Sequence, residues 1–97
     1  MTAYWIGRTT ILDPSLMGEY SRLGALAAQK HPHRTLVRGG NYRILEGEKY
    51  FERFVIHEFP SMEAAATFYN SPEYQQAVPL RMKAAAGRCD LVVVEGV

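Results

Sequence analysis

Arg53-Phe54-Val55-Ile56-His57-Glu58-Phe59-Pro60-Ser61-Met62-Glu63-Ala64-Ala65 reads as a buried strand that stops at a proline and turns directly into a capped helix. Phe54 to Phe59 is dense in aromatic and β-branched side chains, which suit a pleated, packed surface. Pro60 cannot donate to a sheet ladder, and Ser61 can accept from the free N–H groups of a first helical turn. Met62, Ala65, Phe68 and Tyr69 then recur at helical spacing, so this helix is expected to bury one stripe through Asn70.

Upstream, Tyr4 to Leu12 is a first strand ending at Asp13-Pro14. Alternation divides it into Trp5, Gly7, Thr9 and Ile11 on one face and Tyr4, Ile6, Arg8 and Thr10 on the other. Asp13 followed by Pro14 is a cap with proline at the first helical position. Leu16, Tyr20, Leu23 and Ala27 mark a helix running to about Lys30, where Pro32 disfavours helical geometry at His31. Thr35 to Arg38 is a second strand, interrupted by Gly39-Gly40 and expected to resume over Asn41 to Leu45. The polar turn Glu46-Gly47-Glu48-Lys49 returns the chain antiparallel. Downstream of Asn70, Ser71-Pro72 starts another helix, Pro79 kinks or breaks it near Val78, and Leu80 to Ala86 resumes it before Gly87. Leu91 to Val94 is the fourth strand.

The order is β-α-β-β-α-β, an α+β ferredoxin-like arrangement with a four-stranded antiparallel sheet and helices on one face. Ninety-seven residues suit a single domain spanning 1–97. A chain of this size buries roughly 65% of the surface that its unfolded form exposes, enough for a core without staples. Leu91 to Val94 and Phe54-Val55-Ile56 are continuous apolar runs, whereas a sheet with one wet face alternates. Both faces of these strands are therefore expected to be covered, one by the helices and the other by a second copy about a two-fold axis.

Composition excludes several classes. The formal net charge is +1, and the 11 basic residues are scattered, which argues against nucleic acid. No apolar run approaches the ~20 residues of a membrane helix, and the start lacks a signal-peptide pattern, so a cytoplasmic location is expected. The one cysteine, Cys89, excludes an internal disulfide, and it reads as a small buried hydrophobe. His31-Pro32-His33 and the distant His57 make a poor ligand set, so neither metal nor cofactor is expected. His57, on the helix-facing side of its strand, reads as a satisfied core histidine.

Glu58 alternates with Phe54 and Ile56, opposite Val55, His57 and Phe59. It is expected in a cavity between facing sheets, where desolvation would raise its pKa and suit it to general base work. Arg38 beside Gly39-Gly40 is either its catalytic partner or the other half of a structural ion pair. Arg8 shares the Glu58 face, and Tyr42 and Tyr74 offer hydroxyls to a ligand, so a small organic acid or carbonyl compound would suit the site. Tyr20 and Tyr69 fit a core role with a wet tip.

Tyr4-Trp5-Ile6, Asp13-Pro14, Val37-Arg38-Gly39-Gly40, Leu45-Glu46-Gly47, Glu58-Phe59-Pro60-Ser61, Ser71-Pro72-Glu73-Tyr74-Gln75 and Val94-Glu95-Gly96-Val97 together resemble the family called domain of unknown function 1330. The resemblance covers nearly the whole chain, with His57 and Thr9 standing where that family tends to have aliphatic residues. It implies the dimeric α/β-barrel superfamily, in which two ferredoxin-like sheets face each other around a cavity. That superfamily includes cofactor-free monooxygenases, lactone isomerases and stress-related proteins. Two functions follow as expectations. One is a homodimer that binds a small organic molecule between the sheets and carries out cofactor-free proton transfer or oxygenation with Glu58 and Arg38. The other is a non-catalytic ligand-binding or structural dimer in which Glu58 and Arg38 satisfy each other.

Overall fold

The computed structural model describes residues 1–97. Strand β1 (Ala3–Thr9) leads into helix α1 (Pro14–Ala28), strand β2 (Arg34–Arg38) and strand β3 (Arg53–Phe59). Helices α2 (Met62–Asn70), α3 (Pro72–Gln75) and α4 (Val78–Ala84) follow, and strand β4 (Cys89–Glu95) completes the chain. The strands lie in the order β2-β3-β1-β4, every pairing antiparallel. The ferredoxin-like α+β arrangement read from the sequence is the one formed.

Local chemistry sets the element ends. The Asp13 carboxylate accepts from Leu16 N at 3.1 Å, and the Ser61 hydroxyl accepts from Ala64 N at 3.0 Å. Ser71 does two jobs: its hydroxyl donates to Phe68 O at 2.7 Å, closing α2, and accepts from Tyr74 N at 3.3 Å, opening α3. Pro79 lies in the first turn of α4, where its missing N–H costs nothing, so the expected kink is a fresh helix start.

Trp5, Ala27, Phe59, Ala65, Phe68 and Tyr74 form the core beneath the helices. Trp5 sits at its centre, its ring centroid 5.2 Å from Phe68 and 5.3 Å from Tyr74, edge-on to the latter. The register pairs Trp5 with His57 and with Val93, and Gly7 with Val55 and with Leu91, so these residues share the helix-facing side. Tyr4, Ile6, Arg8, Phe54, Ile56, Glu58, Val92 and Val94 share the other.

Three expectations are corrected. The first strand ends at Thr9 rather than Leu12, because Leu12 N and Asp13 N bond to Ala84 O and draw the chain off the sheet. Asn41 to Leu45 is not a strand. Gly39 and Gly40 both take positive φ (66° and 97°), and Gly39 N makes the last bond to β3 before the chain leaves the edge. Residues 41 to 50 are all exposed. Met62 and Tyr69 flank the buried stripe of α2, and only Ala65 and Phe68 are buried there. The side of β4 facing away from the helices is open in the single chain, with Val92 and Val94 exposed at 55% and 47%, the face that the sequence left for a second copy.

Candidate functional site

A cavity of about 190 Å³ lies between the sheet and α1. It exists because small residues face each other across the interface. Ser21, Gly24, Ala25 and Ala28 recur at i, i+3, i+4 and i+7 along α1, and Gly7 is the bare centre of β1. By the scale on which a cavity of about 150 Å³ holds benzene, this one takes a single small ring with polar substituents.

One wall is a hydrogen-bonded chain. Arg81 Nη1 donates to the Tyr74 hydroxyl oxygen at 2.9 Å, and the Tyr74 and Tyr20 hydroxyls are 2.7 Å apart. The two phenols hold two protons, and their mutual bond uses one. A guanidinium has no acceptor to receive the other. The proton left over belongs to the cavity. Because Tyr74 already accepts from Arg81, its own proton is best spent on Tyr20, which leaves the Tyr20 O–H free. Burial, reinforced by Tyr20, pushes the Tyr74 hydroxyl well above the usual phenol range despite Arg81, so it stays protonated. Arg81 has no carboxylate partner, and its Nε is buried without a hydrogen bond. Desolvation works against its charge, but Tyr74, Tyr20 and Cys89 around it hold its pKa above the ordinary value.

The opposite wall is built on β2 and β3. Thr35 Oγ1 lies 2.9 Å from His57 Nδ1 and 3.5 Å from an Arg38 Nη2. Burial, then the nearby charges of His33 and Arg38, lowers His57 from 6.5 to about 4, so it is neutral at pH 7. The His33 ring stands 4.6 Å from His57, and its Nδ1 is 2.9 Å from His31 O. A carbonyl only accepts, so His33 carries its proton on Nδ1. Burial lowers its pKa as well. No group of three or more His, Cys, Asp or Glu side chains converges in the chain.

Four arginines line the cavity, Arg8, Arg38, Arg53 and Arg81, against one acid, Asp90. Asp90 is held by Arg8 through a two-pronged pair (3.0 and 2.6 Å), with the Arg8 guanidinium also 4.5 Å over the Phe51 ring. The other three arginines have no acidic partner. The site is positive.

The residues singled out from sequence fall on both sides of the sheet. Arg38 and Tyr74 line the helix-side cavity, and Arg8, which alternation puts on the open face with its partner Asp90, also borders it. Glu58 and Tyr42 do not: Glu58 lies on the open face between Tyr4 and Arg34, and Tyr42 meets Phe54 edge-on with ring centroids 5.2 Å apart. Glu58 and Arg38 form no salt bridge and project to opposite faces. A one-residue bulge separates them. The β2–β3 register shifts between Thr35 and Val37, so Val37 faces Ile56 and Arg38 faces Val55. Strict alternation would have kept Arg38 on the Glu58 face. Arg81, Arg53 and Thr35 were missed. The signal that could have found this cavity is the stripe of small residues on α1 opposite Gly7.

The strand order and single helix layer define a ferredoxin-like protein. Residues 2–97 match the model of the family described as domain of unknown function (DUF1330), and the chain belongs to that family. No curated protein is significantly similar in sequence. Among solved structures, a protein of unknown function from Rhodopseudomonas palustris superposes with TM-score 0.76 at 18% identity, over 99% of this chain and 82% of that one. A dimeric ferredoxin-like protein of unknown function from Jannaschia sp. CCS1 gives 0.71 at 16% identity, over 99% and 100%. A candidate antibiotic biosynthesis monooxygenase from Caulobacter crescentus CB15 gives 0.60 at 15% identity, over 99% and 90%. Identities this low establish a shared fold.

Proposed function

We propose that this chain is a homodimeric small-molecule-binding protein whose ligand is a small organic acid held between β1 and α1. One observation carries the reading: a spare phenolic proton and an arginine without an acidic partner meet in the wall of a cavity sized for one ring. An oxyanion there would receive the Tyr20 hydroxyl, with the Arg81 charge behind it. Donors already in place are worth most where charge develops, because they need no reorganisation. The same wall therefore favours the enolate or phenolate form of a bound ring, the state shared by proton-transfer isomerisation and cofactor-free oxygenation. Arg38 and Arg53 at the far wall would draw the anion in.

The homodimer rests on the open sheet face. Ile6, Phe54, Ile56, Val92 and Val94 form a contiguous apolar surface on three strands, the kind of patch that marks an interface. The dimeric state of the Jannaschia protein supports the same assembly. Glu58 and Arg34, side by side on that face, are suited to fixing the register of two copies.

Calorimetric titration with benzoate tests the binding site. The native protein is expected to bind it, Tyr20→Phe about tenfold more weakly, and Arg81→Met up to about a hundredfold more weakly, as suits a neutral and a charged donor. Absence of binding to the native protein, or equal affinity in all three, would reject the site.

A further inference from the structure

Trp5 is 3% exposed as a residue, and its indole N–H has no acceptor within the chain, yet that nitrogen is not sealed off: Arg81 Nε is the one fully buried side-chain nitrogen or oxygen without a partner. An indole N–H without an acceptor in its own chain is open to water or to a ligand oxygen. The space that it faces is visible next to it. Trp5 Nε1 lies beside Gly7, 3.9 Å from where a Cβ would stand, and both residues line the cavity. The donor opens onto the space left by the missing side chain. Gly7 has no positive φ to explain it, and a Cβ there would meet Leu91 and Trp5 only at ordinary contact distances of 3.7 and 3.9 Å. Neither backbone strain nor packing requires glycine here, and a side chain at this position would stand beside the indole N–H.

We infer that Trp5 and Gly7 form a second recognition point, at which the indole N–H donates to an oxygen of the ligand lying over Gly7. This rests on the binding site proposed above and narrows its ligand class. Trp5 and Tyr74 stand edge-on with ring centroids 5.3 Å apart, so the indole donor and the Tyr20–Tyr74–Arg81 wall serve one small molecule. Such a ligand carries two oxygen functions on a flat ring: a hydroxy- or oxo-substituted cyclic carboxylate. Gly7 and the small stripe of α1 leave a slot that admits a planar ring between sheet and helix.

The test compares 2-hydroxybenzoate with benzoate by calorimetry on native protein, Trp5→Phe and Gly7→Ala. The native protein is expected to prefer 2-hydroxybenzoate by about tenfold, the worth of one hydrogen bond to a confined donor. Trp5→Phe keeps an aromatic ring and removes the donor. Gly7→Ala places a methyl where the oxygen would sit. Both are expected to lose the preference. A second readout needs no variant: Trp5 is the only tryptophan, so the protein has a single indole N–H resonance. That resonance is expected to move with 2-hydroxybenzoate and to move less with benzoate. Native protein that binds both acids equally, or variants that keep the preference, would overturn the Trp5–Gly7 assignment while leaving the binding site standing. Native protein that binds neither acid would remove both.

Discussion

His57 illustrates how one side chain ties stability to the site. It is enclosed by Trp5, His33 and Thr35, with Arg38 nearby, and nothing acidic pairs with it. Its folded value of about 4 lies below the ordinary 6.5. As pH falls, the unfolded chain therefore takes up a proton before the folded one, and stability is lost between about 6.5 and about 4. Thermal unfolding from pH 7.5 to 4.5 is expected to show a falling midpoint in the native protein and a flatter profile in His57→Gln. Parallel profiles would show that His57 is not the group responsible. The residue was legible in the sequence as a satisfied core histidine, because strand alternation puts it beside Trp5. Its partner was not legible. Thr35 is its register partner on the neighbouring strand β2, and that register is set by pairing rather than by neighbours in sequence.

Element boundaries were readable wherever capping chemistry is local. Asp13-Pro14, Ser61 and Ser71-Pro72 each place a side-chain acceptor beside free N–H groups, and each starts a helix. Ser71 serves two helices and is buried, so Ser71→Ala is expected to cost about 2 kcal/mol, a cap plus a buried hydrogen bond. Denaturant unfolding measures this, and a loss below about 0.5 kcal/mol, the low end for such a cap, would contradict the double role. Strand interiors were less readable. The bulge at Leu36 inserts one residue and turns Arg38 to the helix side, so an argument from alternation put Arg38 with Glu58. Asn41 to Leu45 carries alternating Tyr42 and Ile44, yet the two positive-φ glycines before it aim the chain away from the edge. Both misreadings come from β2, whose path depends on what β3 offers it.

At the scale of the whole molecule, the sheet has two apolar faces and the chain has helices for one. The continuous runs Leu91–Val94 and Phe54–Ile56 made that visible in the sequence. In the proposed homodimer, a lysine on the apolar part of the open face would bury an unpaired charge. Val92→Lys is therefore expected to shift native mass spectra from dimer to monomer, and a dimer unchanged by it would place the interface elsewhere. The cavity was harder to foresee. Sequence reasoning placed it between two sheets, on the Glu58 side, because polar side chains draw attention and missing ones do not. The space within this chain comes from absences, Gly7 beneath Ser21, Gly24, Ala25 and Ala28. The claim that the ligand lies on this side of the sheet is tested most directly by a crystal structure with 2-hydroxybenzoate. The expected result is a ring between β1 and α1, one oxygen on the Tyr20 hydroxyl beside Arg81 and another over Gly7. A ligand bound beside Glu58 on the open face, with the helix-side cavity filled only by water, would contradict it.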